Sequence, residues 1–289
     1  MKGNGKIFLS ARPFRGESVI ARSRNPELVE RFRDGEAALE LLRAASQAGF
    51  SGLVTTNDAR VLAALKRLGG DDLEVLPVIP NVIGYVREST HYGMVGAGWR
   101  RLRTLNPIDL LRIGMIGAVR APKVLSRHFP SILEILLEVE MADFRRFRPR
   151  VVFLHPVTTD LALAFDNRAL FELFYDRMLR HFGCEPGLAT NNFGSLITRI
   201  RDWQLGFRYF VAPFNDRGYG MLPTKEDCER LFATESDVSL AADRVAVGAL
   251  PGPEQFEYLR RLGVQSAVVD VTTPEELSQI QTAAERFIH

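Results

Sequence analysis

The chain has 289 residues, of which 46% are hydrophobic and 25% charged, and its formal net charge is +2. That length suits one large domain with a sizeable core, and the composition is that of a soluble globular protein, not a disordered or fibrous one. The near-neutral balance argues against an overall nucleic-acid surface, so no nucleic-acid partner is expected, and no apolar run approaches the roughly 18 residues of a membrane-spanning helix.

The N-terminal apolar run is too short for a secretion signal, so the expected location is cytoplasmic. Cys184 and Cys228 stand alone, with no CxxC spacing and no histidine partner. They read as small buried hydrophobes; neither a disulfide framework nor a zinc site is expected.

In chain order, β-rich apolar runs occur at Lys6–Ser10, Gly52–Asn57, Glu74–Pro80, Val151–His155, Gly187–Asn191, Arg208–Pro213, Arg244–Gly248 and Ser266–Asp270. Each has the length and continuous apolarity of a parallel strand covered on both faces. Helical signals separate them. Ala38, Leu41, Leu42 and Ala45 make a stripe closed by Gly49, and Asp58 can cap a helix bearing Val61, Leu62, Leu65 and Leu68. Asp160 and Asp166 read as helix caps after the fourth strand. Leu170, Phe174 and Met178 line another helix, ended by Gly183. Thr224 with Asp227, and Thr273-Pro274-Glu275-Glu276, carry capping-box patterns. Strand-helix alternation repeated this way closes most simply as one (β/α)8 TIM barrel over 1–289, with an open doubly wound sheet as the alternative.

One unit is too long. Residues 83–150 separate the third and fourth strands, and Pro107, Pro122 and Pro130 break this stretch into several helices. Between residues 95 and 130 it carries seven basic residues against one acid, Asp109, among apolar positions such as Trp99 and Leu111. It leaves the third strand at its C-terminal end, so a helical insertion over the barrel mouth is expected. Its basic, apolar character suits an anionic substrate, a membrane surface or a partner subunit.

Barrel enzymes draw their chemistry from the strand ends and the loops that follow them. Here those positions form a polar ring rich in amides and hydroxyls. His155 ends an apolar strand and is the expected general acid or base, against the plainer reading that its ring ties down the turn before Pro156. Asp270 can orient it or bind a substrate hydroxyl. Asn191, Asn192 and Asn215 can hold a carbonyl or an oxyanion, or make ordinary Asx turns. Arg12, Asn57 and Tyr85 complete the expected substrate contacts. No lysine sits at a strand end, which removes a Schiff-base mechanism, and the amide-rich ring is a poor metal-ligand set. Gly248 and the helix start at Thr273 offer a corner where an anion can bind.

From the fourth strand onward the chain resembles the aldo/keto reductase superfamily. The residues carrying the resemblance are FLHP at 153–156, ATNNF at 189–193 and the closing GVQSAVVDVTTPEEL. The resemblance implies a catalytic role for His155, nicotinamide contacts from Asn191 and Asn192, and NADP as cofactor. The first half departs from the family, whose tyrosine proton donor is assisted by a lysine at an early strand end. LEVLPVIPN carries no lysine, and Tyr85, shortly after it, is the residue considered as a spatial substitute.

The leading expectation is therefore His-centred acid/base chemistry, of isomerase or lyase type, on a small anionic metabolite. An NAD(P)H-dependent reductase and a non-catalytic binding or membrane-surface barrel are the alternatives, and an oligomer is compatible with each.

Overall fold

A computed structural model describes residues 5–17, 25–69, 73–81 and 129–289. Eight parallel strands close into a ring in sequence order: β1 (Lys6–Ser10), β2 (Gly52–Thr55), β3 (Glu74–Ile79), β4 (Val151–Leu154), β5 (Glu185–Ala189), β6 (Tyr209–Pro213), β7 (Ser239–Asp243) and β8 (Ser266–Val269). Closure is made by β1 against β8, with Lys6 opposite Ser266 and Leu9 opposite Val269. This is a (β/α)8 barrel, so the open-sheet alternative is set aside.

The alternation of side chains divides the apolar interior into two parts. Phe8, Leu76, Val78, Val151, Phe153, Ala189, Val211, Ala241 and Val268 point into the barrel. A larger layer, between strands and helices, gathers Leu9, Leu53, Ile79, Leu154, Leu188 and Phe210 with the apolar stripes of the helices. Among these helices are α2 (Glu36–Gln47), whose expected stripe is buried, and α3 (Ala59–Leu68), which buries Val61, Leu62 and Leu65 with Leu68 half-buried and whose cap Asp58 accepts from the Arg60 and Val61 amides.

Strand β7 corrects the sequence reading. The expected strand was the more β-prone Arg244–Gly248, but the ladder to β6 runs through Ser239–Asp243, with Tyr209 opposite Ser239 and Pro213 opposite Asp243. Tertiary pairing overrides local propensity here. Arg244 adopts a left-handed φ of 51°, leaving the sheet at once, and Val245 is buried in the outer layer instead. Strand β5 also ends two residues earlier than expected, so Asn191 lies in the loop beyond it.

Asp160 and Asp166 are not caps. Helix α5 (Pro156–Ala164) begins with His155 as its N-cap and contains Asp160 in its second turn. Asn167 caps α6 (Arg168–Asp176), while Asp166 pairs with Arg199 at 3.0 Å.

Of the long segment between β3 and β4, the described part is α4 (Phe129–Phe144) and a short 3-10 turn, Arg145–Phe147. Helix α4 buries Leu133, Leu137, Met141 and Phe144 against the barrel's outer layer. Tyr85 and nearly all of the basic stretch 95–130 lie outside the described residues. Among the described residues no helix is long and apolar enough to cross a membrane.

Candidate functional site

The C-terminal ends of the strands surround a cavity of about 300 Å³. Its floor is apolar, made by Val54, Val78, Ala189, Val211 and Val268, and its rim is polar. The floor follows from the strand period, since each of these residues lies at an inward position near its strand's end.

His155 sits on this rim directly after β4. Its backbone amide donates to the Ile79 carbonyl at 2.9 Å, which continues the ladder with β3. Its Nδ1 accepts from the Val157 amide at 3.3 Å, so the imidazole caps α5. The ring ties down the turn at Pro156, and it also lines the cavity. Because Nδ1 is an acceptor, the neutral ring carries its proton on Nε2. Burial, followed by the nearby positive charge of Arg15, pulls the imidazole pKa from 6.5 down to about 4, with Glu17 opposing. At neutral pH the group is an uncharged hydrogen-bond donor.

Arg15 comes from the 3-10 turn Pro13–Arg15 that follows β1. One arm of its guanidinium donates to the Thr56 hydroxyl and the other reaches Glu17 at 3.0 Å. Arg15, Thr56 and Glu17 all line the cavity beside His155. The ARPFR segment after β1 carried the signal for Arg15, but its position beyond a turn concealed the direction of the side chain.

Arg12 occupies a different place in the network. Its two terminal nitrogens donate to Asp243 at 2.7 and 2.6 Å, and Nε donates to Asp270 at 3.1 Å. Burial alone would make this guanidinium easier to deprotonate; the charges of the two aspartates overcome it and hold Arg12 firmly protonated. Burial likewise opposes ionisation of Asp243, and Arg12 outweighs it, keeping that carboxyl below its ordinary range. The triad links the ends of β1, β7 and β8. Arg12 thus joins strand ends across the barrel seam, and Asp270 faces Arg12. Asp243 could not be anticipated while β7 was placed five residues too late.

Asp160 organises the end of β5. It accepts from the Thr190 hydroxyl at 2.5 Å, from the Asn191 amide at 3.1 Å and from Asn191 Nδ2 at 3.0 Å. With Nδ2 anchored to this carboxylate, the orientation of the Asn191 carboxamide on the cavity wall is fixed. Asn192 caps α7 (Phe193–Asp202), its Oδ1 accepting from the Ser195 amide at 3.4 Å. Asn215 is engaged within its own loop: Nδ2 donates to the Tyr219 carbonyl and Oδ1 accepts from the Tyr219 amide, both at 2.8 Å. Asn57 is 3% exposed and lies outside the cavity lining. The structure therefore brings His155, Asn191 and Arg12 to one cavity, and adds Arg15, Thr56 and Asp243.

Strand β3 ends in Val78 and Ile79, and beyond Pro80 the Asn81 amide donates to the fully buried Glu140 at 2.8 Å. At the far corner, the amides of Thr272 and Thr273 donate to the Glu276 carboxylate, at 2.5 and 3.3 Å. Those amides begin α10 (Pro274–Ala283), and the Gln255 side chain similarly takes the Gly252 amide ahead of α9 (Pro253–Leu262). The amides of Thr272, Thr273 and Gly252 are thus already engaged, at α10 by a negative charge, and do not offer a dinucleotide phosphate a contact. Among the described residues no three His, Cys, Asp or Glu side chains group as a metal site.

Comparison with solved structures places this barrel among known ones. A protein of Pseudomonas aeruginosa provisionally described as an aldo-keto reductase superposes with a TM-score of 0.57 at 14% identity, over 99% of this chain and 92% of its own. An aldose reductase of Giardia lamblia gives 0.52 at 9% identity, over 99% and 88%. The likeness is one of fold. The chain has a TIM barrel resembling theirs in fold. No family model and no curated protein sequence matches it.

Proposed function

We propose that the chain is a barrel enzyme acting on a small anionic carbonyl compound, such as a 2-oxo acid, with His155 as its central group. The observation carrying this reading is the convergence of His155, Arg15, Thr56 and Asn191 on one cavity with an apolar floor. An apolar pocket with a few convergent polar groups is the usual form of a small-molecule site.

In this reading each group has its own role. The neutral His155 hydrogen-bonds through Nε2–H to a substrate carbonyl oxygen and stabilises the negative charge that gathers there as the α-proton passes to the Glu17 carboxylate, which lines the same cavity. Arg15, anchored by Thr56, binds the carboxylate. Asn191, held by Asp160, supplies a second polar contact to the carbonyl end. This is isomerase or lyase chemistry in which His155 is an electrophile at neutral pH, and the proposed setting is the cytoplasm. A reductase reading would need a proton donor and dinucleotide contacts that the described strand ends do not offer.

The test is calorimetric titration with pyruvate, 2-oxobutanoate and oxalate, the last a mimic of a 2-oxo acid enolate. Saturable binding that weakens at least about tenfold in both His155→Asn and Arg15→Gln is expected, from loss of the imidazole hydrogen bond in the first and of the guanidinium–carboxylate contact in the second. Binding of all three compounds unchanged in both variants, or no binding in the millimolar range, would remove the proposal.

A further inference from the structure

The opposite end of the barrel also opens into a cavity, of about 270 Å³, lined by the starts of the strands. A TIM barrel normally fills this region with bulky branched side chains in stacked layers. Here the inward positions on β7 and β8 are small. Ala241 and Val268 point into the barrel, so by the two-residue period Ser239 and Ser266 do too. On the other side Phe8, Leu76 and Phe153 form an apolar wall.

The rim carries charge of one prevailing sign. Glu74 is matched by Arg150, whose Nε lies 3.4 Å from its carboxylate. Arg150 also donates to the Tyr209 hydroxyl at 3.4 Å and stacks over that ring at 5.4 Å, leaving the phenolic proton free to donate. Lys6 has no ion-pair partner among the described residues, and the hydroxyls of Ser239 and Ser266 make no hydrogen bond with another described side chain. An exposed ammonium without an ion-pair partner among the described residues and two half-buried serine hydroxyls thus stand over an apolar depth.

We propose that this N-terminal mouth is a second ligand site, for a monocarboxylate with a short apolar body. The carboxylate meets the Lys6 ammonium and the serine hydroxyls, and the body lies against Phe8, Leu76 and Phe153. Among the described residues the lining holds one cation without an acidic partner, which favours one negative charge over a phosphate dianion, and the apolar wall requires carbon beneath it. The site is independent of the His155 cavity, at the other end of the same barrel.

The test is calorimetric titration with sodium hexanoate, hexanol and hexylammonium, on the wild type and on Lys6→Gln, Ala241→Leu, Ser266→Val and His155→Asn. One hexanoate per chain is expected, with hexanol at least about tenfold weaker and hexylammonium not binding. Lys6→Gln should weaken hexanoate by a similar factor. Ala241→Leu should abolish binding by filling the cavity, and Ser266→Val should weaken it if the leucine variant does not fold. His155→Asn should leave it unchanged. No saturable hexanoate binding in the millimolar range, equal binding of hexanol, or retention in both Lys6→Gln and the cavity-filling variant would overturn the site. So would loss in His155→Asn alone, which would move the ligand to the other mouth. Failure here leaves the 2-oxo acid titrations untouched, because they read different residues.

Discussion

Replacing His155 by asparagine separates the titration of its ring from its structural duty. Asparagine is a good N-cap, whose side-chain oxygen can take over the Val157 amide now bonded to Nδ1. What the variant loses is an ionisable group with a folded-state pKa of about 4, against an ordinary 6.5. The fold favours the neutral ring, so the stabilisation is complete above about pH 6.5 and falls as the pH drops towards 4. That window of about 2.5 units corresponds to roughly 3 kcal/mol. The residue is only 7% exposed, so solvent screening reduces this little. Urea unfolding in steps from pH 7 to pH 4 should show the wild type losing about 3 kcal/mol more than His155→Asn. Other groups, Asp243 among them, titrate in both proteins and cancel. Parallel stability curves over this range would refute the burial and tautomer assigned to the imidazole.

Three further outcomes follow from other contacts. Arg12→Met would leave Asp243 and Asp270 buried without their cation and should destabilise by about 3–5 kcal/mol in denaturant unfolding, whereas a loss under about 1 kcal/mol would mean the triad is not formed. Gly187→Ala would bring a methyl group to 2.5 Å from the Phe153 ring inside the barrel. A lower melting temperature, equivalent to about 1–3 kcal/mol and partly relieved by Phe153→Leu, is expected, and no change would place that ring elsewhere. Burial pushes the Cys228 thiol up to about 11 and raises that of Cys184. At pH 8 a disulfide reagent should therefore modify Cys228 about two orders of magnitude more slowly in the native protein than in urea, and equal rates would contradict that burial.

The barrel was legible because its information is local and repeated. The apolar runs at Lys6–Ser10 and Ser266–Val269, and the self-capping of Thr273 by Glu276, each reveal an element without reference to the rest of the chain. The seventh strand was not legible, because Ser-Leu-Ala-Ala-Asp has weak propensity and becomes a strand only through its ladder with β6. That displacement hid Asp243, and with it the reason for Arg12. His155 was visible as a histidine at a strand end. Its protonation state was not, since it depends on the amide of Val157, two residues on, and on Arg15 some 140 residues away in sequence. The amides misled for a related reason: Asn192 and Asn215 satisfy their own turns, and only three-dimensional contact with Asp160 sets Asn191 apart.

The central claim, that a neutral His155 presents an Nε2 proton to a ligand cavity, is tested most directly by long-range proton–nitrogen NMR of the imidazoles. The chain has five histidines, and His155→Asn assigns the resonance. At pH 7 the His155 ring should show a protonated Nε2 and an acceptor Nδ1, and both nitrogens should shift as pyruvate or oxalate is added. An imidazolium at that pH, or a ring unmoved by either compound, would contradict it.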